Sequence, residues 1–152
     1  MKFIRVLKSR NGKPIDFMAI ESEIENICQE FGILLFYVFG SYAQNFANKL
    51  SDLDIAFLSK EKFDLHQLLE FLSKLQDIFE EEAVDLIDLR GAPLALIHRV
   101  LKEGRCIYAK NLPEKVEFES RSETLYFDMQ TLRNEYFISL QRRIENGTFG
   151  YR

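Results

Sequence analysis

Cysteine and histidine are scarce in this chain of 152 residues, which has two of each. Cys28 and Cys106 lie far apart, with no second thiol or histidine at a ligand spacing. That excludes a disulfide framework and a zinc site, and leaves both as small free residues of the core or surface. Long apolar runs are missing too. None approaches the roughly 20 residues needed to cross a bilayer, and the opening MKFIRVLKSRNGK has neither a long apolar segment nor a small-residue cleavage site. The expectation is a soluble, cytoplasmic protein that makes no membrane contact. An excess of positive charge is likewise absent: the net charge is −4, and the 20 lysines and arginines are scattered. A direct nucleic-acid binder is disfavoured, because neutralising phosphate with basic side chains dominates such affinities. A nucleotide remains a candidate ligand, since carboxylates can hold one through a metal.

Apolar residues, by contrast, make up 47% of the chain. At this length that is enough for a single domain spanning residues 1–152, with a core at about 15–110 and a C-terminal helix at about 120–145. Four segments have helical periodicity. Ile20, Ile24, Ile27, Cys28 and Phe31 mark the first, stopped by Gly32. Leu65 to Phe79 form the second, with Asp64 and Gln67 spaced as a capping box. Pro93 opens a third that closes at Gly104. Ser120 and Glu123 match a capping box for the fourth, which runs through Leu125, Met129, Leu132, Tyr136 and Leu140. Its apolar face is read as core, with a protein partner or a second copy of the chain (a homo-oligomer) as the alternative.

Between the helices lie strand-like runs at 33–39, 52–58, 83–89 and 106–109, and a weaker strand and turn at KFIRVL and Asn11-Gly12. This alternation predicts an α/β (α+β) domain, a mixed sheet packed by helices.

The chemistry is concentrated in FGSYAQNFANKLSDLDIAF, residues 39–57. Alternation on a strand puts Asp52 and Asp54 on one face and Leu53, Ile55 and Phe57 on the other. Two carboxylates 4 to 5 Å apart repel by roughly 4 kcal/mol at an effective dielectric near 20, so a positive ligand is expected between them. Asp85, between Val84 and Leu86, adds a third strand-borne acid. It is preferred to Asp88, which alternation places on the opposite face. Three carboxylates on one sheet face suit magnesium, its shell completed by phosphate. Upstream, Gly40 allows close approach of backbone to phosphate, and the turn that follows offers N–H groups and the Ser41 hydroxyl. Phosphate on one side and metal on the other describe a nucleoside triphosphate site.

Gly40-Ser41, ten residues, then Asp52-x-Asp54 resembles the signature of the nucleotidyltransferase superfamily related to DNA polymerase β, with Asp85 in VDLIDL similar to its third metal-binding carboxylate. Within it the chain resembles the minimal nucleotidyltransferases, or MNT proteins, over roughly residues 20–140, including SDLDIAFL, VDLIDLRGAP and LKEGRCIYAK. Asn45 departs from the glycine often found in the family's turn, although asparagine tolerates the left-handed conformation.

The resemblance implies a nucleotidyltransferase fold, ATP as substrate, two magnesium ions and a HEPN-domain ribonuclease as partner. The chain would be that toxin's antitoxin, moving AMP onto a tyrosine hydroxyl. It further implies that Asp52 and Asp54 bind both ions, that Asp85 binds the catalytic one, and that Ser41 and the Gly40 backbone hold the triphosphate. Two other readings are an antitoxin that only binds its toxin, with an idle nucleotide site, and transfer to a small molecule. The acidic run Glu80, Glu81 and Glu82 is read as solvated surface, and His66 and His98 are given no catalytic part.

Overall fold

A computed structural model describes residues 7–8, 14–43 and 52–148. The Asn11-Gly12 turn and Asn45 therefore lie outside the described residues. Two short strands, β1 (Leu7–Lys8) and β2 (Pro14–Ile15), pair antiparallel. Helix α1 (Phe17–Glu30) follows, its first turn capped by the Asp16 carboxylate, which accepts the Met18 N–H at 3.0 Å. Then come β3 (Ile33–Phe39), the four-residue helix α2 (Gly40–Ala43), β4 (Leu53–Ser59), α3 (Leu65–Phe79), β5 (Val84–Asp88), α4 (Leu94–Glu103), β6 (Arg105–Ala109) and α5 (Leu112–Glu145). Both halves of the Asp64–Gln67 capping box form, at 2.8 and 3.0 Å.

The main sheet is mixed, in the order β5-β4-β3-β6: β4 and β5 run parallel, and β3 is antiparallel to β4 and β6. β3 is the central apolar strand, and it needs cover on both faces. One face carries Phe36, Val38, Leu53, Ile55 and Phe57, packed by Ile24 and Ile27 of α1 and Phe71 and Leu75 of α3. The other carries Leu35, Tyr37, Phe39 and Ala56, packed by Ile97 and Val100 of α4 and by Phe118 of α5. Leu53, Ile55 and Phe57 thus point to one core and Asp54 and Ala56 to the opposite face, as alternation requires.

Three expectations are corrected. α5 begins at Leu112, not near 120: Asn111 is its cap, its side-chain oxygen accepting the Glu114 N–H at 2.9 Å, with Pro113 in the first turn. Ser120 is mid-helix, and its hydroxyl donates to the Glu117 carbonyl at 3.4 Å. An asparagine cap with proline in the first turn is a sufficient start, and it lies nine residues before Ser120, the first residue of the apparent capping box. The apolar face of α5 is also not core along its length. Met129, Leu132 and Tyr136 are 57%, 66% and 64% exposed. A helix of 34 residues is about 50 Å long, whereas the seven-residue strands beneath it span about 23 Å, so its second half has no sheet to cover. The third concerns Glu81, which is buried, not solvated.

The described cysteines are free, Cys28 buried and Cys106 partly so. Burial raises both thiols, Cys106 to about 11, which keeps them protonated and inert. Among the described residues no helix is long and apolar enough to cross a membrane.

Candidate active site

The end of the sheet where β3 runs out and β4 and β5 begin gathers most of the predicted site. Parallel pairing of β4 with β5 makes Asp54 and Asp85 direct register partners. Partners in a sheet point to the same side, so the two carboxylates are neighbours. Asp88, three residues on, pairs with Phe57 instead, and its carboxylate accepts the Arg90 N–H at 2.9 Å in its own turn. Asp85 thus shares a side of the sheet with Asp54, and Asp88 shares one with Phe57.

On the other side of Asp54 lies β3, whose last residue, Phe39, is its antiparallel partner. Gly40 comes next, at φ +69°, a conformation that costs other residues about 1–2 kcal/mol. A Cβ built there would overlap the Asp54 carboxylate oxygen. Gly40 is thus required twice: for its backbone angle and for the space that the acid occupies. Ser41, half-buried, follows in α2. Residues 44–51, which join this turn to Asp52, lie outside the described residues.

Asp52 is less tightly placed than alternation predicts. β4 starts at Leu53, whose N–H donates to the Ala83 carbonyl at 2.8 Å, and Asp52 is exposed just before it. The electrostatics nevertheless link all three acids. Burial first, then the charges of Asp85 and Asp52, raise the Asp54 carboxyl above its ordinary value, while Arg99 of α4 acts in the opposite sense. Among the described residues no group of three or more His, Cys, Asp or Glu is close enough to hold a metal ion by itself. Among the described residues the acids influence one another's charge without forming a closed ligand set.

The donor chemistry fits magnesium. Every candidate ligand is a carboxylate oxygen, and the burial and neighbouring acids that disfavour the ionised form of Asp54 are the conditions a hard dication would offset.

Arg99 escaped the sequence reading. Its guanidinium is half exposed and its Nε donates to Glu103 at 3.2 Å one turn on, a pattern ordinary for any helix surface. Only the fold brings it near Asp54. His98, on the same helix, faces α5 instead. Its Nδ1 lies 2.9 Å from Glu123, and its ring stacks on Tyr126 with centroids 3.9 Å apart. It ties α4 to α5.

The polymerase beta nucleotidyltransferase family profile matches residues 22–112, a span that contains Gly40, Ser41, Asp52, Asp54, Asp85 and Arg99. The chain belongs to that family. It is 31% identical over 99 residues to the protein adenylyltransferase MntA of Shewanella oneidensis, covering 65% of this chain and 70% of that protein. Among solved structures it resembles a chain of a toxin-antitoxin complex with AMP-PNP, at a TM-score of 0.66 and 27% identity, covering 80% of this chain and 98% of the other. It also resembles a chain from the complex of a tri-AMPylated Shewanella oneidensis HEPN toxin with its MNT antitoxin, at a TM-score of 0.62 and 25% identity, covering 82% and 98%. The fold is that of a nucleotidyltransferase, and the activity class follows from the family.

Proposed function

We propose that this protein is an antitoxin that transfers AMP from ATP to a tyrosine hydroxyl of a HEPN ribonuclease toxin, in a magnesium-dependent reaction. The observation that carries the reading is the register of Asp54 with Asp85 beside a glycine whose missing side chain makes room for the Asp54 carboxylate. The relatives add the substrate and the partner: one is a protein adenylyltransferase, and the solved complexes pair similar chains with AMP-PNP or with an AMPylated HEPN toxin.

In this reading Asp52 and Asp54 would hold both magnesium ions and Asp85 the catalytic one, while Ser41 and the Gly40 backbone would grip the triphosphate. Bound there, the ions would supply positive charge against the α-phosphoryl group and the leaving pyrophosphate. The side chains do the rest. Gly40 admits the phosphate chain close to the backbone, and the Ser41 hydroxyl donates to one of its oxygens. The tyrosine oxygen attacks the α-phosphorus, forming one P–O bond as the bond to pyrophosphate breaks. The hydroxyl proton passes to a carboxylate of the site, assigned to Asp85.

The test is direct. Purified protein, ATP labelled in its α-phosphate, magnesium and the protein encoded by the adjacent reading frame should yield a labelled partner. Replacing Asp52 and Asp54 together by asparagine should abolish the label while leaving the fold intact. Tight complex formation without label from any nucleotide would overturn the enzymatic reading in favour of an antitoxin that acts by binding alone.

A further inference from the structure

Three consecutive acids precede β5, and their fates differ. Glu80 and Glu82 are exposed, whereas Glu81 is only 6% exposed. One of its carboxylate oxygens accepts the Tyr42 hydroxyl proton at 3.1 Å, and the other accepts the Ala83 N–H at 3.3 Å. Tyr42 is fully buried and directly follows Ser41. Ala83 stands two residues before Asp85. The bond therefore joins the Gly40-Ser41 turn to the root of the strand that carries the third acid, 39 residues away in sequence.

The loop end of this strut is itself braced. Glu80 takes the left-handed conformation at φ 50°, which turns the chain out of α3. The Glu81 N–H donates to the Gln76 carbonyl at 3.1 Å, and the Gln76 side-chain amide donates to the Glu82 carbonyl at 2.7 Å. The Ala83 carbonyl accepts from Leu53, the residue between Asp52 and Asp54. The hydrogen bonds of Glu81 thus lead to the Gly40-Ser41 turn, to the root of β5 and to the helix behind it. Burying a carboxylate is costly, and its hydrogen bonds only offset the cost; an apolar pair of the same shape would fill the space without the penalty. What an apolar pair would not supply is a directional tie of fixed length.

We propose that Tyr42 and Glu81 are positioning residues for nucleotide transfer, setting the spacing between the phosphate-gripping turn and Asp85. This rests on the reading given above, with Gly40 and Ser41 on the triphosphate and Asp85 on the acid side. Neither residue touches a reacting atom. They act through Ser41 and Asp85, whose separation must match the reach of one triphosphate, and small displacements of such groups are expensive in rate.

The experiment compares Tyr42→Phe and Glu81→Gln in the full chain. Tyr42→Phe keeps the ring and removes the hydroxyl; Glu81→Gln keeps both contacts, its amide oxygen accepting the Ala83 N–H and its NH2 donating to the Tyr42 hydroxyl oxygen. Tyr42→Phe should lower kcat for AMP transfer by roughly 10- to 100-fold, as loss of an orienting partner does. Its KM for ATP should move much less, and its melting temperature only slightly. Glu81→Gln should retain most of the rate. Without nucleotide, the backbone amide resonance of Asp85 should shift in Tyr42→Phe and stay near its native position in Glu81→Gln. An unmoved Asp85 amide in Tyr42→Phe overturns the proposal whatever the activity, as does a native kcat in that variant. A native protein that labels no partner, with the Asp85 amide still responding to Tyr42→Phe, overturns the adenylyltransferase reading and leaves the tie between turn and strand standing.

Discussion

Phe36, Phe57 and Phe71 are wholly buried, while Phe127 and Phe137 are more than half exposed. The contrast separates two regions of one chain. In the first, helices sandwich a sheet, and Phe57, Phe63 and Phe71 interlock with ring centroids 5.1 to 5.7 Å apart. In the second, the later turns of α5 continue past the sheet, and the same residue type meets solvent. Hydrophobicity does not decide burial by itself; the presence of a sheet beneath a helix does. The candidate site belongs to the first region, at the end of three packed strands, where backbone register can hold charged groups in place.

Four substitutions would break or sharpen that contrast. The largest effect on stability is expected from Phe71→Ala, which empties the centre of the aromatic cluster and should cost about 3–5 kcal/mol in urea denaturation. Gly40→Ala comes next: it forces a side chain into a left-handed position and against the Asp54 carboxylate, and should cost about 1–3 kcal/mol as well as the activity.

Asp54→Asn should act in the other direction. The folded-state carboxyl is raised above its ordinary value of 3.8, so the folded chain holds that proton more tightly than the unfolded one. The favourable contribution of Asp54 is therefore complete below that value and is lost as pH climbs to the raised one. Removing the charge should raise the melting temperature at neutral pH by up to a few degrees, with little change at low pH, while AMP transfer disappears. The smallest effect is expected from Leu132→Ala, within about 0.5 kcal/mol on the same denaturation assay, because its side chain has little apolar contact to lose.

How much of this was legible in the sequence follows the same division. The strands at 33–39 and near 52–58 and 83–89 could be read because a covered sheet imposes long apolar runs and a strict alternation. Gly40, Asp54 and Asp85 could be singled out because glycine and isolated acids in such runs violate the local pattern. The start of α5 was misread because Ser120 and Glu123 imitate a cap, whereas the Asn111 signal directly follows a strand. The exposure of its far half depends on the width of the sheet, which no local pattern encodes. Arg99 and the Tyr42–Glu81 bond join residues distant in sequence, and their types are commonplace. Only the register of β4 with β5 and the packing of α4 and α2 bring them to one place.

In the function proposed, acids on two adjacent parallel strands, beside Gly40, share metal ions with a nucleotide. Counting bound Mn²⁺ by electron paramagnetic resonance, with a non-hydrolysable ATP analogue present, tests it without a partner protein. Two ions per chain are expected in the native protein, one in Asp85→Asn and none held tightly in Asp54→Asn. Native occupancy in both variants would contradict it.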